Sequence, residues 1–399
     1  MLIGEFSDMK ILWITSAYPW QGHPYAGVFF QTQARALVRL GDGVQVDVAS
    51  PWIPRIAALV SPRHAFDRSA PRHQVEDGLE IFRIPYFDHR FNYIFGRPHL
   101  GLARQVLKNL EIRPDIVHGH FAYPMGLAAV KVARSLGVPS VITVHGGDVN
   151  QLAIASKMSA KHFRLAMTGA DHVVCVSRAL GERTCQLTGV SPEYLPLGIH
   201  LERFQCTLTR EQARTQLQLP QDRPIILFIG FLAASKGILI AQKALAHPSL
   251  AGAMGVFVGE GPLGPSIASQ VNCRWQKSIP NTEVPQYLAA ADLLILPSFS
   301  EGLPTVLVEA GAFGTPIIAT AVDGIPELLE GDRGRLIPPG SDEALRTAIL
   351  EVLANPGAAR SQAENLRSFV RETFDADRNA ETLRNIYASL VRKNGGSPG

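Results

Sequence analysis

Two carboxylates, Glu301 and Glu309, stand eight positions apart in the stretch Ser300-Glu301-Gly302-Leu303-Pro304-Thr305-Val306-Leu307-Val308-Glu309. The stretch follows a continuous apolar run, residues 293–296, that reads as a buried strand. It then takes on the character of a helix. Ligands of open α/β sheets bind at the carboxyl ends of strands, where Glu301 falls. Eight residues are about two helical turns, so one helix can present both carboxylates to one bound molecule. Pro304 suits the first turn of that helix, where its missing N–H costs nothing. The free amides of the same turn suit a phosphate. Carboxylates for hydroxyls beside amides for phosphate point to a sugar nucleotide.

Other positions carry chemistry of the same kind. The apolar run 225–229 leads into Gly230-Phe231-Leu232-Ala233-Ala234-Ser235-Lys236-Gly237, a glycine turn with a lysine six residues on. That spacing can set an ammonium against a diphosphate; an ordinary exposed lysine has the same appearance. Gly27, after the strand-like run 11–15, lets the backbone approach a phosphate or a sugar, or simply turns the chain. His145 ends a β-branched run and precedes Gly146-Gly147-Asp148. It can donate a hydrogen bond to a sugar or cap its own loop. His118-Gly119-His120 has no carboxylate or cysteine at zinc spacing, so no metal site is expected. Residues 89–113 mix His, Arg, Lys, Phe and Tyr, with Glu111 as the only opposing charge. Such an edge fits contact with an anionic membrane surface or a lipid-linked phosphate, or a solvated helix face.

These groups need a scaffold with many strand ends. Apolar runs at 11–15, 44–49, 116–118, 141–144 and 172–176 alternate with helical segments, and a run at 79–85 adds a further strand. A second series lies at 225–229, 255–258, 293–296, 317–320 and 335–337. Short continuous apolar strands separated by helices indicate parallel sheets covered on both faces. The polar stretch 206–223 separates the two series, which places one domain at 9–203 and the other at 204–375. The tail 361–392 has helical spacing through Leu366, Phe369 and Val370, then Leu383, Ile386, Tyr387 and Leu390.

Bulk composition agrees: 399 residues, 46% hydrophobic and 18% charged, describe a globular protein of two or three domains. A net charge of +3 gives no reason to expect a nucleic-acid partner. Cys175, Cys185, Cys206 and Cys273 show no metal-type spacing and read as reduced thiols. Residues 1–8 lack the marks of an export signal, so a cytoplasmic location is expected.

Together these segments resemble the retaining glycosyltransferases of family 4, also called group 1. The resemblance rests on Asp115-Ile116-Val117-His118-Gly119-His120, Val144-His145-Gly146-Gly147-Asp148, Gly230 with Lys236-Gly237, and Val258-Gly259-Glu260-Gly261-Pro262. Its most specific part is Glu301 through Glu309 with the following Ala310-Gly311-Ala312-Phe313-Gly314-Thr315-Pro316, which is similar to the family's paired-glutamate signature. The resemblance implies the GT-B fold: two Rossmann-like domains whose parallel sheets face across a cleft, with a final helix, about 376–392, returning to the first domain. It implies a donor site of Gly27, Gly230, Lys236, Glu301, Gly302, Leu303, Thr305, Val306 and Glu309. Glu309 would accept from ribose hydroxyls and Glu301 would face the transferred sugar. Lys236 would neutralise the leaving diphosphate, and His145 would contact the sugar. His145, Lys236 and Glu301 are thus the expected catalytic residues.

The expected reaction moves a hexose from a UDP- or GDP-sugar to a hydroxyl acceptor, with retention and without a cofactor. The acceptor is expected to be a growing surface polysaccharide, a lipopolysaccharide or a lipid-linked sugar, met at the inner face of the cell membrane. Three departures stand out: Phe231 where the family usually has Arg, Leu197-Gly198-Ile199-His200 at the hinge, and Asp323-Gly324 where two glycines are usual. Phe231 keeps open a non-catalytic sugar-nucleotide-binding protein, and the scaffold keeps open a sugar-nucleotide epimerase.

Overall fold

The computed structural model describes residues 8–24, 26–52, 70–87, 97–204 and 207–395. Of the basic aromatic stretch, residues 89–96 lie outside the described residues, as do Cys206 and residues 1–7. The chain divides into two compact units: residues 1–198 with 376–399, and residues 199–375.

Unit 1 is an eight-stranded sheet of β1 (Lys10–Thr15), β2 (Gly43–Trp52), β3 (His73–Glu76), β4 (Leu79–Phe87), β5 (Ile116–His120), β6 (Ser140–Val144), β7 (His172–Cys175) and β8 (Glu193–Tyr194). Its order is β3-β4-β2-β1-β5-β6-β7-β8. Every pairing is parallel except β3 with β4. That antiparallel edge is a hairpin closed by Asp77-Gly78, whose φ angles of 49° and 82° suit the mirror-image turn that hairpins prefer. The strands β5 and β6 are buried at every position, so β6 reads as a β-branched run and β5 carries His118 and His120 into the interior. The helices needed below are α1 (Val28–Arg39), α2 (Pro98–Lys108), α3 (Leu127–Leu136) and α4 (Lys157–Gly169).

Unit 2 is a six-stranded parallel sheet of β9 (Ile225–Ile229), β10 (Met254–Val258), β11 (Cys273–Gln276), β12 (Leu293–Leu296), β13 (Ile317–Thr320) and β14 (Arg335–Ile337), in the order β11-β10-β9-β12-β13-β14. β11 has the sequence Cys-Arg-Trp-Gln and pairs on one side only, so it carries no apolar run to betray it. The order places β9 beside β12. The loops after these two strands carry Lys236 and Glu301. α5 (Thr305–Phe313) follows, and α6 (Pro356–Thr373) packs on it where Leu366 and Val370 press against Gly311.

The helical tail is broken at Phe374-Asp375, and its last part, α7 (Ala376–Lys393), belongs to unit 1. Its stripe of Leu383, Ile386 and Tyr387 joins the core formed by Ile11, Trp13, Ala34 and Leu37. Arg384 donates through Nε to Asp42 Oδ2 at 2.9 Å, and Asn379 donates to the Pro196 carbonyl at 3.0 Å. No helix of the described residues is long and apolar enough to cross a membrane.

The Tyr387 hydroxyl accepts from Trp13 Nε1 at 3.1 Å and contacts His118 Nδ1. All three side chains are fully buried. Tyr387→Phe therefore strands two buried polar groups, at a cost of roughly 2–4 kcal/mol. Urea denaturation followed by tryptophan fluorescence should show that loss; an unchanged midpoint would mean that these bonds carry no stability.

Candidate functional site

In unit 2, β9 and β12 end side by side, and the loops beyond them are locked together. Gly237 closes the Lys236 turn with φ 71°, and a Cβ there would lie 1.9 Å from the Pro297 carbonyl oxygen. Only glycine permits this approach. Phe299 N–H then donates to the Ser235 carbonyl at 2.9 Å. The result is a bidentate ion pair: Lys236 Nζ lies 2.7 Å from each oxygen of Glu301. Ser298 Oγ donates to the same carboxylate at 2.7 Å. Glu301 is nearly covered, with 8% of its side chain exposed, whereas Lys236 keeps 30%. A carboxylate so desolvated needs partners, and here it has a cation and a hydroxyl.

Asp323 fixes the same loop from β13. Its Oδ2 accepts from Glu301 N–H at 2.7 Å and from Ser300 Oγ at 2.9 Å. Its φ of 49° lies in the left-handed region, which aspartate tolerates better than most residues. Replacement of a usual glycine by Asp323 thus keeps the backbone and adds a carboxylate that braces the Glu301 loop. The sequence marked this position as a departure; its bracing role appears only once β12 and β13 are neighbours.

Glu301 stands on the loop before α5, and only Glu309 lies within the helix, so the two carboxylates do not share one helix. Pro304 is the residue just before the helix, with φ −71°, and no side chain caps the helix. The first-turn amides of Thr305 and Val306 therefore lack a side-chain acceptor, and Gly302 and Leu303 lead into them. Glu309 is partly covered. Desolvation lifts its carboxyl from the ordinary glutamate range to about 7, with no charge or hydrogen bond offsetting the shift. Gly230, with φ 153°, turns the chain after β9 and donates to the Val258 carbonyl at 2.9 Å. Phe231 is 58% exposed.

In unit 1, Gly27 precedes α1 with φ 74°, and a Cβ there would crowd the Ala17 carbonyl at 2.8 Å. The turn lets α1 bring Phe29 and Phe30 to His145, with ring centroids 5.6 and 5.4 Å away. The loop after β6 is capped by Asp148, which accepts from the N–H groups of His145 and Gly146 at 3.0 Å each and of Ala122 at 3.1 Å. His145 is thus spared that task. Its Nε2 meets His120 Nδ1 at 3.2 Å, and its Nδ1 has no hydrogen-bond partner among the described residues. Burial pushes the His145 pKa down to about 3, so the ring is neutral at physiological pH. His118 spends both nitrogens, on Tyr387 and, at 2.8 Å, on Thr143 Oγ1. Among the described residues no three His, Cys, Asp or Glu side chains gather to hold a metal ion. Cys185 and Cys273 are free thiols.

The expected residues therefore form two sets. Lys236 and Glu301 touch, with Gly230, Gly302, Leu303, Thr305, Val306 and Glu309 along the same loops and helix of unit 2. Gly27 and His145 meet through α1 in unit 1. Sequence reasoning gave no role to Asp148, Asp323, Ser298 or the Phe29-Phe30 pair. An acidic residue just beyond a strand end was the available signal for the first two.

Comparison with known proteins covers both units. The model of glycosyltransferase family 4 matches residues 26–203, and that of glycosyl transferases group 1 matches residues 209–369. TuaC of Bacillus subtilis, a glycosyltransferase provisionally assigned to teichuronic acid biosynthesis, is 36% identical over 389 residues, covering 96% of this chain and 99% of its own. Among solved structures, sucrose-phosphate synthase from Thermosynechococcus elongatus superposes with TM-score 0.79 at 21% identity, covering 96% of this chain and all of that one. Anabaena HepE in complex with UDP-glucose gives TM-score 0.70 at 17% identity, again covering 96% and 100%. These likenesses establish the two-domain GT-B fold.

The raised Glu309 pKa makes stability depend on pH. Between about 4.5 and 7 the folded protein holds a proton that the unfolded chain releases, so stability falls as pH rises through that window. Glu309→Gln removes the titrating group. Thermal melts from pH 4.5 to 8 should show a flatter profile for the variant; parallel profiles would refute the assignment.

Proposed function

The chain belongs to the group 1 glycosyltransferases, and within that family we propose that it transfers a hexose from a nucleotide-diphosphate sugar to a hydroxyl acceptor with retention of anomeric configuration. The observation that carries this reading is the Lys236–Glu301 pair beside the uncapped start of α5. An ammonium, a set of free amides and a partly desolvated carboxylate line one strand-end region of unit 2. They match the phosphates, the sugar and the ribose of one donor.

Each residue has a task that follows from its setting. Lys236 supplies positive charge where a diphosphate leaves; preorganised charge of this kind acts on the transition state. The amides of Gly302, Leu303, Thr305 and Val306 hold phosphate and sugar oxygens, helped by the positive end of the helix dipole. Glu301, ordered by Ser298 and Asp323, accepts from sugar hydroxyls. Glu309 accepts from the ribose. Neutral His145, with Nδ1 unpaired, serves as a hydrogen-bonding group for the sugar. Gly27 and Gly230 permit close backbone approach.

The acceptor oxygen attacks the anomeric carbon on the face from which the diphosphate departs. The bond from that carbon to the diphosphate oxygen breaks, and its electron pair goes to the diphosphate. The acceptor's proton moves to the same departing oxygen. Nothing in this route requires a covalent sugar–enzyme bond, so the protein contributes positioning and charge. HepE binds UDP-glucose on the same fold, which supports a UDP-sugar over a GDP-sugar donor. The likeness to TuaC supports an acceptor in a cell-surface polysaccharide, saccharide or lipid-linked. A cytoplasmic enzyme working at the inner face of the membrane fits that acceptor.

Lys236→Met should lower kcat by roughly a hundredfold or more with a smaller effect on donor KM, as expected for charge stabilisation concentrated in the transition state. Product from the native enzyme should keep the donor's anomeric configuration by NMR; inversion would sink the mechanism. Donor that binds without transfer to any acceptor would favour a non-catalytic role.

Phe231→Arg provides a separate check. It places a second cation after Gly230, and donor Kd by calorimetry should tighten about three- to tenfold. An unchanged or weakened Kd would mean that this turn does not face the diphosphate.

A further inference from the structure

Unit 1 contains a cavity of about 610 Å³ that neither Gly27 nor His145 lines. Its walls are two helical stripes. α3 contributes Leu127, Val130, Lys131 and Arg134, spaced i, i+3, i+4 and i+7. α4 contributes Met158, Lys161, His162 and Leu165 with the same spacing. Arg97 and His99, at the start of α2, complete the wall. Each stripe sets cations among apolar side chains.

The charges have no acidic counterpart among the described residues, and Arg134 donates to the Gly169 carbonyl at 3.3 Å. Four of the lining residues are Lys or Arg and none is Asp or Glu. No ion pair to any of the four is formed among the described residues. Like charges gathered on one cavity repel one another, and an anion relieves them.

His99 gives a second, independent sign. It is 6% exposed, and its Nδ1 has no hydrogen-bond partner among the described residues. Its ring lies 5.6 Å from those of Tyr123 and His162, which stack on each other at 4.4 Å. Burial and the nearby His162, Lys131 and Arg97 charges push its pKa down to about 4. The cavity wall thus holds a buried polar atom that no described residue satisfies.

The apolar half of the wall narrows the ligand class. Met158 and Leu165 are 38% and 46% exposed on α4, the helix that buries Phe163, Ala166 and Met167. Inorganic phosphate would leave them uncovered. We propose that this cavity binds an anionic lipid: a phosphate carried on an apolar chain, with the phosphate among the four cations and the chain over Met158 and Leu165. Arginine forks and lysine ammonium groups both suit phosphate oxygens. The site shares no residue with the donor set of unit 2, so it stands without the transfer reaction.

Calorimetry with decyl phosphate below its micellar concentration tests this, with decanol and inorganic phosphate as the two half-ligands. Decyl phosphate should bind one molecule per chain, and each half-ligand should bind at least tenfold more weakly, about 1.4 kcal/mol. Lys131→Glu with Arg134→Glu should weaken decyl phosphate at least tenfold. Met158→Ser with Leu165→Ser should weaken it about threefold or more. Arg104→Glu with Lys108→Glu, at exposed positions of α2 outside the cavity, should change it less than twofold. All the substituted residues are exposed, so folding should survive, as circular dichroism melts will check. The proposal fails if decanol or inorganic phosphate binds as tightly as decyl phosphate. It fails equally if the Lys131/Arg134 variant keeps native affinity, or if the Arg104/Lys108 control loses as much.

Discussion

The Glu301 carboxylate is almost entirely withdrawn from water, and Lys236 meets both of its oxygens at 2.7 Å. As a contribution to folding, a pair whose cation is still partly solvated is worth little, about 0–1 kcal/mol. Its importance is positional. Without Lys236 a buried carboxylate would stand uncompensated, and without Glu301 the ammonium would swing free in solvent. Each holds the other at the strand ends. The pair in turn depends on β9 lying beside β12, on the backbone contact of Gly237 with Pro297, and on Asp323 bracing the Glu301 loop from β13. Three adjacent parallel strands thus converge on one ion pair.

Unit 1 solves a related problem with neutral groups. Burial lowers the pKa of His118, His120 and His145 and keeps the three rings neutral. His118 then serves as a structural hydrogen-bonding group between Thr143 and Tyr387. Trp13 donates to the Tyr387 hydroxyl, His118 Nδ1 meets the same hydroxyl, and His118 Nε2 meets Thr143 Oγ1. The tail helix α7 therefore supplies more than an apolar face. It completes a buried polar network at the heart of the first sheet. His145 escapes such use because Asp148 caps its loop, leaving Nδ1 unspent.

The basic aromatic stretch acquires a sharper shape from the fold. Arg97 and His99 turn toward α3 and α4 and share a cavity with cations that are 30 or more residues away in sequence. Arg104 and Lys108 lie on the exposed side of α2. One run of basic residues thus splits into a cavity wall and a solvated face.

Much of the fold was legible in the sequence because parallel strands buried on both faces are continuous apolar runs: residues 225–229, 293–296 and 317–320 became strands with those bounds, as did the edge strand 335–337. The paired glutamates and the glycine-turn lysine were legible because their residue types are rare in such surroundings. β11 was not, since an edge strand pairing on one side needs no apolar run. The β3–β4 hairpin had a signal in Asp77-Gly78, and β4 reads as a strand, whereas β3, His73–Glu76, alternates too weakly to announce itself. The separation of Glu301 from the helix of Glu309 was hidden because local spacing cannot say where a helix begins when no side chain caps it. What the sequence by itself determined was composition of the site: which carboxylates, which ammonium, which histidine. What only the tertiary structure decided was who holds whom. The Lys236–Glu301 pair spans 65 residues and the Asp323 brace 22. Such partners are chosen by strand order and backbone contact, which no local pattern of residues encodes.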